Sequence, residues 1–209
     1  MRRLILLGAG GHGKVVADIA QLMQKWVNIE FLDDKFPVLT HVASWRVSGK
    51  LNEFMNLPAD RTDFGVTVGE NDLRVKFIQR LLETGLDLPS LVHPTAFIND
   101  SIELGDGTVV MSQAAINIDS RIGNGCVINT GATVDHDCIL ANGVHLSPGG
   151  HLAGDVRIGD RSWIGIGATV NCGITIGNDV MVGAGAVVIN DIEDGLTVVG
   201  NPAKPVHRE

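Results

Sequence analysis

Aliphatic residues fall on a beat of six through the second half of the chain. Every sixth position from 98 to 188 is Ile, Leu or Val, sixteen in unbroken succession. Neither the 3.6-residue period of an amphipathic helix nor the alternation of a long strand yields this pattern. A short fixed period predicts a solenoid of stacked coils. Each unit is then a short strand and a turn, with its aliphatic side chain pointing inward. Glycine follows the aliphatic directly at Gly105, Gly123, Gly159, Gly165, Gly177 and Gly183. We read glycine or Asn as the residue that allows the sharp bend. Small residues two positions before the aliphatic, among them Cys126 and Cys138, read as core fillers.

The first ninety or so residues have another rhythm. RRLILL (2–7), NIEFLDD (28–34) and DFGVTVG (63–69) read as strands. GKVVADIAQLMQKW (13–26) has helical spacing, with Val15, Ile19, Leu22 and Met23 expected on the buried side. NDLRVKFIQRLLETG (71–85) reads as a second helix, with Asn71 or Asp72 as its N-cap and Gly85 as its stop. Alternating strands and helices predict a small, mostly parallel sheet.

Composition narrows the function. The formal charge of −8 argues against nucleic acid as a partner, because phosphate backbones need a basic footprint. Three cysteines (Cys126, Cys138, Cys172) are too few for a disulfide framework. The N-terminal apolar run, LILL, is four residues long, too short for a signal peptide or a membrane span. A soluble cytoplasmic protein without membrane insertion is expected.

Two stretches carry chemistry. GAGGHG (8–13) follows a strand and opens a helix, and Asp33 stands twenty residues beyond Gly13. This is the dinucleotide fingerprint in its proper context, and its physics is anion binding by backbone N–H groups at a helix N-terminus. A full dinucleotide fold needs two such halves, and only one fits before the coils begin. A nucleotide diphosphate therefore suits the site better than NAD, and no NAD is expected.

The second stretch is NTGATVDHDCIL (129–140), where His136 sits between Asp135 and Asp137 just past an inward Val134. A neutral imidazole oriented by a carboxylate suits deprotonation of an amine or hydroxyl that attacks a thioester. His145 and His151 each precede an inward leucine, so both are expected to point outward onto the surface. His93 reads as structural, and the buried cysteines do not suit covalent catalysis.

These motifs together resemble the bacterial nucleotide-sugar N-acetyltransferases and the sialic acid O-acetyltransferase-like proteins among the hexapeptide-repeat acyltransferases. The resemblance covers nearly the whole chain. It implies an α/β, half-Rossmann-like nucleotide-sugar-binding domain at 1–92 and a left-handed parallel β-helix at 93–209, with three six-residue sides per coil. His136 would be the general base, tuned by Asp137, where family members often have Glu. Gly10, Gly11, His12, Asp33, Asp34 and Gly69 would meet the sugar nucleotide, with Asn71 and Arg74 beside them. His145 would contact acetyl-CoA on a neighbouring subunit. Gly154, Ile166 and Ala184 would line the pantetheine channel, and the tail GNPAKPV would bring Asn201, Pro202 and Lys204 to the CoA nucleotide.

With three sides per coil, residues eighteen apart stack and residues nine apart lie half a coil round. Six residues span up to ~20 Å. His136 and His145 therefore cannot share a site within one chain, which points to a homotrimer with active sites between subunits. The implied reaction is acetyl transfer from acetyl-CoA, without a metal, to the 4-amino group of a UDP-linked 4-amino-4,6-dideoxy sugar in surface glycan synthesis. Three rivals stay open at this point. One is O-acetylation of a sugar hydroxyl. Another is a β-helix metal hydratase using His136, His145 and His151. The third is a non-catalytic sugar-nucleotide scaffold.

Overall fold

The computed structural model describes residues 2–58 and 60–206. RRLILL forms β1 (Arg2–Leu7), flanked by β2 (Trp26–Leu32) and β5 (Thr62–Val66), both parallel to it. Between 36 and 60, where the sequence suggested no element, β3 (His41–Val42) and β4 (Trp45–Gly49) make a hairpin. β4 extends the sheet beside β2, giving the order β3-β4-β2-β1-β5. Alternation along β1 serves both faces. Leu4 and Leu6 pack under α1 (Gly11–Met23), while Ile5 and Leu7 join the cluster under α2 (Asn71–Glu83).

Both helices differ from their expected details. α1 buries Val16, Ala17, Ile19 and Ala20, and leaves Val15 and Leu22 about half exposed. The buried face is the one whose small residues let the helix sit close to the sheet. α2 begins at Asn71, with Glu70 as its N-cap. Neither Asn71 nor Asp72 caps it: both lie inside the helix, where the Asn71 amide turns to the coil and Asp72 pairs with Lys76 one turn on.

From Leu91 the chain winds into a three-faced parallel column of two-residue strands, each paired with the strand eighteen residues on. The first face runs through Val109, Val127, His145, Trp163 and Met181. The second runs through Ala115, Thr133, His151, Thr169 and Val187. The third runs through Arg121, Ile139, Arg157 and Thr175. We call the turns joining these faces the first edge (first to second face), second edge (second to third) and third edge (third to first). The last coil is shorter, so that Met181 pairs with Thr197, sixteen residues on.

The six-residue beat is the core of this column. From Val110 to Val188 every such aliphatic is buried, and only Ile98 and Leu104, at the open lower end, are partly exposed. Each fully buried aliphatic contributes roughly 1.5–3 kcal/mol relative to an exposed one. Cys126 and Cys138 are buried as expected, and they donate Sγ–H to the carbonyls of Ala141 and Ala153.

The glycines that directly follow the aliphatics are not the bending residues. At every turn from 107 to 185 the left-handed conformation falls three positions after the inward residue, on glycine at some turns and on Gln113, Asp119, Asp137, Asp155, Arg161 or Asp179 at others. Gly159 is glycine for a different reason. A Cβ there would lie 2.6 Å from the carbonyl carbon of Gly177 in the next coil.

The N-terminal layer docks on the lower half of the first face. Leu91, Val109, Met111 and Val127 share a core with α1 and β1. α2 lies along the third edge, where Val75 and Ile78 pack over Gly143 and Gly125. Among the described residues no helix is long and apolar enough to cross a membrane.

Candidate active site

His136 stands on the second edge. Its neighbour Asp137 takes the left-handed conformation of that turn (φ 60°), which Asp tolerates better than most residues. The carboxylate then reaches the ring, with His136 Nδ1 2.8 Å from Asp137 Oδ2. Nδ1–H donates in this pair, which leaves the lone pair on Nε2. Asp135 serves the backbone instead. Its Oδ1 accepts the His136 N–H at 2.9 Å and the Asn117 amide at 3.0 Å. The Asn117 bond, then the His136 N–H, hold Asp135 below the usual carboxylate range. The bond to Asp137 raises His136 above the ordinary imidazole value, against a smaller opposing effect of burial, and the charges of Asp135, Asp137 and Asp155 add to the rise. Gly154, one coil on, lies against the ring, and a Cβ there would come within 2.6 Å of Nε2.

On the opposite side of the prism, a cavity of about 310 Å³ opens between the glycine loop and the first face. Gly11, His12 and Gly69 line it from the N-terminal layer, and Asn129, His145 and Trp163 from the coil. His145 points away from the coil axis, as expected, but it is not a surface residue. The docked N-terminal layer leaves it 8% exposed. Asn129 Nδ2 lies 3.1 Å from His145 Nε2 and donates to it, so the proton sits on Nδ1. The Trp163 ring packs against the imidazole with centroids 4.3 Å apart, and its Nε1–H is anchored on Ser147 Oγ at 2.7 Å.

Two buried ring nitrogens of cavity-lining residues, His12 Nε2 and His145 Nδ1, have no partner among the described residues. Buried polar atoms are rarely left so, and a ligand would satisfy them. Burial first, then the charge of Arg74, push His12 down to about 4 and His145 to about 3, with His12 adding a little to the latter. Both rings are therefore neutral at pH 7.

Asn71 and Arg74, expected beside the sugar nucleotide, fasten α2 to the third edge, and Arg74 also borders the cavity. Arg74 Nε donates to Gly125 O at 2.9 Å. Its Nη1 donates to the Gly69 and Val68 carbonyls, and its Nη2 to Asn71 Oδ1 at 2.7 Å and Gly143 O at 2.9 Å. A guanidinium has five N–H donors, so none remains for a ligand. Nor is Arg74 on a solvated helix face. The Asn71 amide donates to Arg161 O at 2.8 Å.

The other expected contacts divide. Gly10 caps α1, with open space above it, and the first-turn amides of that helix are unclaimed within it. Asp33 works behind the loop, accepting Ala9 N–H at 2.8 Å and Lys35 N–H at 2.9 Å. Asp34 lines a separate groove with Lys35, Phe36, Val38 and Leu39. Ile166 and Ala184 stack on the first edge above Thr130 and Pro148. The tail bearing Asn201, Pro202 and Lys204 is joined to the end of the second face where Ala203 N–H meets Val187 O. Gly154 lies on the second edge with His136. No single copy gathers all of these residues.

Comparison with known proteins follows this division. Residues 3–81 match the family described as PglD N-terminal domain, and residues 155–190 match bacterial transferase hexapeptide (six repeats). The chain is 44% identical to the acetyltransferase domain of PglB from Neisseria gonorrhoeae FA1090, with a TM-score of 0.96 over 99% of this chain and 100% of that one. The chain belongs to the hexapeptide-repeat nucleotide-sugar N-acetyltransferases. The column is accordingly the left-handed β-helix of that family. A second structure of the PglB domain holds acetyl coenzyme A. A mutant of perosamine N-acetyltransferase from Caulobacter crescentus, in complex with CoA and GDP-perosamine, is 37% identical over 100% of this chain and 98% of that one, with a TM-score of 0.92. The UDP-N-acetylbacillosamine N-acetyltransferase of Bacillus subtilis (strain 168) is 37% identical over 114 residues, 54% of this chain. That match spans about half the length of the curated relative, 52%.

Asn129, Ser147 and Trp163 were missed by motif reading. The eighteen-residue stacking already places Trp163 directly over His145, and that column was the signal available for it.

Proposed function

We propose that this acetyltransferase moves the acetyl group of acetyl-CoA to the 4-amino group of a UDP-linked 4-amino-4,6-dideoxy sugar, in bacterial surface glycan biosynthesis in the cytoplasm. Residues 1–92 bind the nucleotide sugar and 93–209 form the acetyltransferase domain. Three copies assemble so that the second edge of one chain meets the first edge and the cavity of the next. Gly10, Gly11, His12 and Gly69 hold the nucleotide sugar, with Asp33 fixing the loop. Ile166, Ala184 and the tail carry the CoA arm to a thioester set beside His145 and Gly154.

The observation that carries this reading is the His136–Asp137 pair, 2.8 Å apart, with Nε2 bare on an exposed edge. The amine nitrogen attacks the thioester carbonyl carbon and the C–S bond breaks. His136 Nε2 takes the proton shed by the nitrogen and passes it to the departing thiolate. The Bacillus subtilis relative is named for a UDP sugar, whereas the Caulobacter crescentus relative was solved with GDP-perosamine. Nucleotide choice is therefore the first thing to measure.

Thiol release from acetyl-CoA is the assay, run against UDP-, GDP- and dTDP-linked 4-amino sugars and a sialic acid. The UDP amine is expected to give the highest kcat/KM. A GDP or dTDP preference overturns the nucleotide, and transfer to a hydroxyl overturns the acceptor. His136→Ala is expected to cut kcat by about 10²–10⁴ with little change in nucleotide-sugar binding. Undiminished turnover would remove the base.

A further inference from the structure

Arg74 is 1% exposed and, although burial lowers it to about 10, it remains a cation at neutral pH. All five of its donors end on uncharged oxygens, four backbone carbonyls and the Asn71 amide. Among the described residues no carboxylate pairs with it. The nearby Cys126 thiol is pushed up to about 12, chiefly by burial, so it supplies no negative charge either. A buried cation with its hydrogen bonds satisfied and its charge uncompensated is costly, and such charges are ordinarily paired. This one borders the cavity that also holds the unpartnered nitrogens of His12 and His145.

We propose that Arg74 is the electrostatic positioning residue for the diphosphate of the nucleotide sugar. Its missing counter-charge arrives with the substrate, while its saturated guanidinium makes no direct bond to it. The donors that touch the phosphates are then the α1 first-turn amides and the neutral cavity imidazoles. Arg74 acts through the field it sets up from its buried position at the cavity wall, where a unit charge reaches further than it does in water. This inference rests on the nucleotide-sugar reading above and assigns Arg74 a part in it that is distinct from its role as a clamp.

The test separates charge from clamp in the intact enzyme, using acetyl-CoA and the UDP-linked 4-amino sugar. Arg74→Met is expected to raise KM for the nucleotide sugar by about tenfold or more, with KM for acetyl-CoA and kcat each within about threefold. Arg74→Lys keeps the charge but brings three donors to five acceptors. Its nucleotide-sugar KM should stay within about threefold of the parent although its Tm falls. Asn71→Ala loosens the clamp and keeps the charge, so it too should lower Tm and spare KM. A Lys variant as poor as Met, or an Asn71→Ala with the same KM defect, overturns the proposal in favour of a purely structural clamp. Should the Met variant not fold, a rise of about tenfold in nucleotide-sugar KM for either remaining variant overturns it on the same terms. Failure of the unaltered enzyme to bind or turn over any nucleotide sugar would instead bring down the underlying reading.

Discussion

His136 is an exposed imidazole whose chemistry is set by one neighbour. The Asp137 carboxylate stabilises the protonated ring, so the free base exists only at higher pH than for an ordinary histidine. A general base must be neutral to act, so kcat/KM should fall as pH drops through the raised value. That limb should lie above 6.5. His12 and His145, at about 4 and 3, stay neutral across it and add no second step. Asp137→Asn keeps the size of the side chain and tolerates the positive φ, but it removes the charge. Its acid limb should move to lower pH, and turnover should fall by roughly tenfold or more, inside the ~10²–10⁴ that general-base action supplies. A pH profile of kcat/KM on both proteins decides this, and an unmoved limb would show that Asp137 does not tune the base.

Coils and helices differ in how much of their final arrangement can be read beforehand. The inward Ile, Leu and Val positions were legible because burial in a column demands an apolar residue at a fixed beat. The turn conformation was not, because Asp, Gln or Arg takes the left-handed position at six of the fourteen turns from 107 to 185, and glycine at the other eight. The glycines after the aliphatics answer to the spacing between coils instead. Gly159→Ala should therefore destabilise the protein by about 1–3 kcal/mol, since backbone rather than a movable side chain stands in the way. Urea unfolding reads this directly, and an unchanged midpoint would mean that the coils can part at no cost. On α1, Ile19 and Met23 pack inward as expected, but Val15 and Leu22 do not, because Ala17 and Ala20 carry little hydrophobic signal although close packing needs them. Similarly, the sequence places His145 on the outside of a coil, which is correct. Its burial comes from the docking of the N-terminal layer, which brings Gly11, His12 and Gly69 to the first face and which no local pattern records.

At the scale of the molecule, the two halves of the proposed site lie on opposite sides of one prism. His136 occupies the edge between the second and third faces, while His145 and the cavity belong to the first face. In the trimer proposed above, a ring of three copies would close the gap by setting the second edge of each against the first edge of the next. Exposed apolar side chains stand on both edges, Ile118 and Ile189 on the second and Ile166 on the first. The arrangement makes a prediction about mixtures. His136→Ala and His145→Ala should each be nearly inactive alone. In trimers re-formed from an equal mixture, a site is intact only when the first position holds a chain with its own His136 and the second a chain with its own His145. Each condition is met half the time, so about a quarter of parental activity should return in a ring of this symmetry. Thiol-release assay of the whole co-expressed pool measures the recovery, and trimers selected by two affinity tags for holding both chains, each with one intact site in three, should return about a third. A site built within one chain would return nothing, because every copy in the mixture carries a lesion.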